Sequence, residues 1–127
     1  MNVGFLHPGL MGETLASNCS ATTLWAGDGR SSETRVRAES HGMNDVGSVA
    51  EMVSQANAIV SICPPAAALE LATQVAAAGF AGLYVDANAI SSSTARQISE
   101  MFDHFVDGSL IGPPAHRPGT TRMYLSG

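Results

Sequence analysis

Short apolar runs alternate along the chain with longer stretches in which apolar residues recur every three or four positions. Residues 3–6, Val-Gly-Phe-Leu, open the series as a buried strand. Residues 9–18 follow as a helix, with Leu10 and Thr14 on one side and Met11 and Leu15 on the other. Residues 22–26 read as a second strand, and Gly27-Asp28-Gly29 as a turn. Ser31 or Ser32 caps a helix running to about Ser40, with Glu33 in its first turn. Residues 43–46 form a weak third strand, and Val49, Met52 and Val53 lie on one face of a short helix over 49–56. Residues 58–63 are strongly β, and Pro64-Pro65 stop them. Proline is tolerated in a first helical turn, so a helix over 66–78 is expected, with Leu71, Val75 and Ala78 facing inward. A fifth strand spans 82–86, and a helix spans 91–102 with Ala95, Ile98 and Phe102 inward. A sixth strand begins at 104–107 and a seventh covers 121–125.

Strands separated by helices require right-handed crossovers, and these build parallel sheets. The expected fold is therefore α/β: a Rossmann-like, doubly wound, mostly parallel sheet with helices on both faces. At 127 residues the chain is one domain, 1–127. Its composition, 45% hydrophobic and 13% charged, excludes a disordered chain. The net charge of −5 argues against nucleic acid and anionic membranes as partners. No apolar run approaches the ~20 residues of a membrane span, and the first residues lack a signal peptide's basic and apolar regions. Cys19 and Cys63 are too few for a disulfide scaffold, and the four histidines have no metal-type spacing, so no metal site is expected. A reduced, cytoplasmic location follows as the expectation.

In parallel sheets of this kind, ligands bind beyond the carboxyl ends of the strands. After the first strand stands His7-Pro8-Gly9-Leu10-Met11-Gly12. Gly9 and Gly12 match the second and third glycines of the dinucleotide fingerprint, and His7 replaces the first. Gly9 lets the backbone approach a pyrophosphate, Gly12 lets helix and strand pack closely, and the helix start offers amide donors. His7 can donate to a phosphate or a ribose, or serve only as a solvated turn residue. After the second strand, Arg30 with Ser31 and Ser32 offers a cation and hydroxyls suited to the 2′-phosphate of NADP. Asp28 keeps NAD possible, because a carboxylate there binds a ribose 2′-hydroxyl. Cys63, Pro64 and Pro65 would pass beside the ribose and pyrophosphate as a rigid wall, or simply start a helix. Asn88 places an amide where a nicotinamide would lie, although Asp86 and Asn88 also suit a turn.

Gly4-Phe5-Leu6-His7-Pro8-Gly9-Leu10-Met11-Gly12 resembles the opening of the β-hydroxyacid dehydrogenases, the group of 6-phosphogluconate and 3-hydroxyisobutyrate dehydrogenases, with imine reductases as relatives. Gly29-Arg30-Ser31 resembles the family's Asn-Arg-Thr/Ser after a small insertion. Asp107-Gly108-Ser109-Leu110-Ile111-Gly112-Pro113, followed by Gly119-Thr120-Thr121, resembles its substrate motif. The resemblance covers essentially the whole chain. It is strongest to a 6-phosphogluconate dehydrogenase-like subgroup with His-Pro-Gly in the first loop.

The resemblance implies a nicotinamide cofactor bound through His7, Pro8, Gly9, Leu10, Met11, Gly12, Arg30, Ser31, Cys63, Pro64, Pro65 and Asn88. It implies a small β-hydroxyacid-type substrate near Ile111, Gly112 and Pro113. Ile111 stands where the family has a serine and Pro113 where it has a glycine, which points away from 6-phosphogluconate itself. The family's catalytic lysine is missing, since all six basic residues are arginines. No catalytic residue is therefore expected in this chain. The lysine, a helical catalytic domain and the homodimer contacts are expected beyond residue 127, which makes the chain a truncated, inactive half of an oxidoreductase. A non-enzymatic NAD(P)-binding or sensing module is the alternative, and a Rossmann domain for another nucleotide is a third.

Overall fold

The computed structural model describes residues 1–6, 21–62, 65–88, 90–111 and 122–126. The expected helix over 9–18 lies outside them. Among the described residues seven strands form one sheet: β1 (Asn2–Leu6), β2 (Thr22–Trp25), β3 (Asn44–Asp45), β4 (Ala58–Ser61), β5 (Leu83–Asp86), β6 (His104–Ile111) and β7 (Arg122–Ser126). The described helices are α1 (Ser32–Ser40), α2 (Val49–Gln55), α3 (Ala68–Ala77) and α4 (Ser92–Ser99), with a 3₁₀ turn at Pro65–Ala67 before α3. The sheet order is β3-β2-β1-β4-β5-β6-β7. All neighbours run parallel except β6 and β7, which are antiparallel. The fold is thus the expected doubly wound α/β, with an antiparallel strand on one edge.

Strand alternation divides the core. Val3 and Phe5 of β1 join Trp25, Ala38 of α1 and Met43 on one face. Leu6 joins Met52, Ile59, Leu71, Val75, Tyr84, Ile98 and Phe102 on the other, under α2, α3 and α4. Gly4 faces this second layer, where a Cβ would run into the Met52 side chain. Serine caps set the helix starts: Ser31, Ser48 and Ser91 accept from the backbone N–H of Thr34, Glu51 and Thr94. No described helix is long and apolar enough to cross a membrane.

Several boundaries differ from the periodicity. β4 stops at Ser61, two residues early, so Ile62 lies outside the ladder. Ala78 is exposed as the C-cap of α3, and the inner face of that helix is Ala68, Leu71, Ala72 and Val75. The chain turns sharply there, with Gly79 at φ +83°. α4 ends at Ser99, yet Phe102 remains buried because its ring stacks on Tyr84.

Candidate functional site at the carboxyl ends of the strands

The strand order reverses between β1 and β4, since β2 lies on one side of β1 and β4 on the other. Such a switch point opens a crevice beyond the carboxyl ends of the strands. Beside it lies a cavity of about 300 Å³ lined by Leu6, Ala26, Asp28, Arg30, Gly47, Ser48, Val49 and Gln74. The loop after β2 therefore brings Asp28 and Arg30 to the cavity lining. Arg30 is half-buried and Asp28 exposed.

The loop is held by tertiary bonds. The Arg30 amide donates to the Gly27 carbonyl at 3.1 Å, and the Asp28 amide donates to the Gly47 carbonyl at 2.8 Å. Asp45, at the end of β3, accepts on Oδ1 from the amides of Gly27 at 2.9 Å and Gly47 at 2.8 Å. Its Oδ2 pairs with Arg35 Nη1 at 2.6 Å, while Arg35 Nη2 donates to the Gly27 carbonyl at 2.7 Å. A Cβ on Gly27 would overlap the Asp45 carboxylate, so a larger residue there must push that side chain off its bonds. Burial works against ionisation of Asp45, but the two amides and the Arg35 guanidinium outweigh it and hold the carboxyl below its ordinary value.

A second polar group closes β4 and β5. Ser61, Asp86 and Asp107 stand side by side in register on β4, β5 and β6. Asp86 is fully buried. Its Oδ1 accepts from the Asn88 amide at 2.9 Å, and Asn88 Nδ2 donates to Ser61 Oγ at 3.1 Å. Asp86 Oδ2 has no hydrogen-bond partner among the described residues. Burial pushes the Asp86 carboxyl up; the Asn88 bonds partly oppose this, and the Asp107 charge adds to it. Burial also raises Asp107.

A raised native value makes the stability from Asp86 complete below the ordinary carboxyl value of 3.8. That contribution is lost as pH rises through the native value. Asp86→Asn removes the ionisation and keeps an oxygen for the Asn88 amide. Its melting temperature is expected to gain on the wild type as pH rises above the ordinary carboxyl value of 3.8. A difference that stays flat with pH would contradict the buried charge.

The expected site residues fall into three groups. Arg30 lines the cavity, and Asn88 is buried in the Asp86–Ser61 cluster. Asn88 is at once a strand-end amide and a turn former. Ser31 caps α1 through its hydroxyl and is not among the described residues lining the cavity. Pro65 opens the 3₁₀ turn, and Ile111 ends β6 opposite Arg122. His7, Pro8, Gly9, Leu10, Met11, Gly12, Cys63, Pro64, Gly112 and Pro113 lie outside the described residues. Sequence reasoning missed Asp45, Arg35 and Gly47. The one available signal was an acidic residue ending the strand beside two loop glycines. Among the described residues, no group of three His, Cys, Asp or Glu side chains is placed to hold a metal ion.

No family profile and no curated protein matches the chain. Solved structures do. One is a conserved protein of unknown function described as structurally similar to 3-hydroxyacid dehydrogenases. It is 27% identical with a TM-score of 0.84, over 98% of this chain and 49% of that one. The 3-hydroxyisobutyrate dehydrogenase of Mycobacterium tuberculosis, solved with L-serine, is 22% identical with a TM-score of 0.82, over 99% of this chain and 46% of that one. An imine reductase from Myxococcus stipitatus in complex with NADP+ is 17% identical with a TM-score of 0.73, over 90% of this chain and 42% of that one. A variant of that reductase was solved with NAD+. The chain spans about half the length of these proteins. Its structural neighbours are thus 3-hydroxyisobutyrate dehydrogenase and related 3-hydroxyacid dehydrogenase-like proteins, and it shares with them a Rossmann-like α/β domain.

Proposed function

We propose that the chain is the dinucleotide-binding half of an NADP-dependent oxidoreductase acting on a small β-hydroxyacid or a related imine. The observation that carries this reading is the cavity beside the switch point, with Arg30 and Asp28 in its wall. When bound, the dinucleotide supplies hydride transfer at its nicotinamide; the protein supplies position and field. Arg30 pairs with a 2′-phosphate, for which its planar fork is suited. Asp28 is the group that would accept a 2′-hydroxyl instead. Residues 7–12 receive the diphosphate through their backbone amides, as the glycine pattern at Gly9 and Gly12 suggests. Asn88, anchored by Asp86 and Ser61, faces the nicotinamide end, and Ile111, Gly112 and Pro113 border the substrate. A lysine of a further helical domain serves as proton donor or acceptor, and the whole protein forms a homodimer.

The imine reductase complexes support a nicotinamide cofactor without deciding between the two forms. Calorimetric titration of the chain with NADPH, NADH and S-adenosylmethionine tests the reading. NADPH is expected to bind more tightly than NADH, and S-adenosylmethionine not at all. Failure of both dinucleotides to bind, or preferred binding of S-adenosylmethionine, overturns it.

A further inference from the structure

The wall that carries Arg30 is shaped by two side chains outside the cavity. Arg35 lies on α1 and Asp45 at the end of β3, and each grips the backbone of the loop after β2. The Gly27 carbonyl is the meeting point, since it accepts from Arg35 Nη2 at 2.7 Å and from the Arg30 amide at 3.1 Å. The Gly27 and Gly47 amides share Asp45 Oδ1, and the Gly47 carbonyl takes the Asp28 amide. The loop before Arg30 and the loop before α2 are thereby joined, and residues of both line the cavity.

The Arg35 and Asp45 side chains are 42% and 29% exposed. An isolated pair so open to water adds little stability. The geometry has another consequence: one guanidinium spans a carboxylate and a carbonyl, while one carboxylate spans a guanidinium and two amides. We propose that Arg35 and Asp45 are a positioning pair that presents Arg30 to the cavity and so sets the preference for a dinucleotide bearing a 2′-phosphate. The proposal rests on the reading of the cavity given above. A loop held in its binding conformation loses less freedom when the ligand arrives. The benefit falls on the ligand that uses Arg30. NADH has no 2′-phosphate and gains little.

Asp45→Asn removes the charge from the junction. Arg35→Lys keeps the charge but replaces the fork with a point donor, which cannot span Asp45 and the Gly27 carbonyl in the same planar geometry. Dissociation constants for NADPH and NADH are measured calorimetrically on the chain and both variants, with thermal unfolding recorded alongside. Each variant is expected to bind NADPH roughly 5- to 10-fold more weakly, with NADH changed less than about 2-fold, the scale of ordering a few side chains. In an Arg30→Ala background, Asp45→Asn is expected to leave NADPH affinity unchanged. A merely structural role would weaken both cofactors alike, and an unchanged NADPH-to-NADH ratio in a folded variant overturns the proposal while leaving the cofactor reading intact. If Asp45→Asn does not fold, Arg35→Lys decides by the same ratio. A wild-type chain that binds neither dinucleotide sinks the cofactor reading and the proposal with it, whereas an NADPH preference that does not depend on Arg30 overturns the proposal alone.

Discussion

Replacing Arg30 with alanine is expected to weaken NADPH binding by about 10- to 100-fold and to leave NADH nearly unchanged. The magnitude follows from a hydrogen bond to a charged group, which contributes ~1.5–3 kcal/mol, and from the factor of ten per ~1.4 kcal/mol in a binding constant. Arg30 lines the cavity and is half-buried, so its charge acts where water screens it less than on an open surface. NADH presents hydroxyls at the same place and loses at most a neutral contact. The difference should shrink with added salt, since part of the attraction is screened. Equal and small losses for both cofactors would show that Arg30 is a solvated loop residue. A large and equal loss would show that the substitution disturbs the loop rather than a phosphate contact.

Tyr84→Ala is expected to destabilise the fold by ~3–5 kcal/mol, the usual range for truncating a large aromatic core residue. Tyr84 is fully buried in β5, in register with Ile59 of β4 and Phe105 of β6. Its ring lies on that of Phe102 with centroids 4.2 Å apart and planes 4° from parallel. A second stacked ring, Phe105, stands at 6.4 Å. A domain holds only ~5–15 kcal/mol in total, so the variant should unfold at much lower denaturant with an unchanged slope. The same loss should reach the site, because β5 ends in Asp86 and leads into Asn88. A penalty below about 1 kcal/mol, the ordinary effect of a point substitution, would contradict the packing around this ring.

The strand and helix pattern was legible because each element buries one face. Val3 and Phe5 separate from Leu6 by strand alternation, and Leu71 and Val75 recur one helical turn apart. Periodicity failed where capping overrode it. Ala78 continues the apolar spacing of Leu71 and Val75, but the chain turns at Gly79 and leaves it outside. Arg30 and Asn88 were legible as strand-end residues, since sheet order determines where such ends gather. The junction between Arg35 and Asp45 was not. It joins a helix to a two-residue edge strand through a side-chain fork, and the one local signal, an acidic residue ending a strand, does not point to Arg35. Gly27 reads as an ordinary turn glycine until the Asp45 carboxylate beside it is known. Likewise Asp86 reads as a turn former, and its complete burial emerges only once β4 and β6 flank it.

The most direct measurement of the central claim is a crystal structure of the chain grown with NADPH. The account predicts the diphosphate against the backbone of residues 7–12 and the 2′-phosphate in the cavity beside Arg30. A dinucleotide bound elsewhere, or a turn at residues 7–12 whose own side chains fill the place of the phosphates, would contradict it.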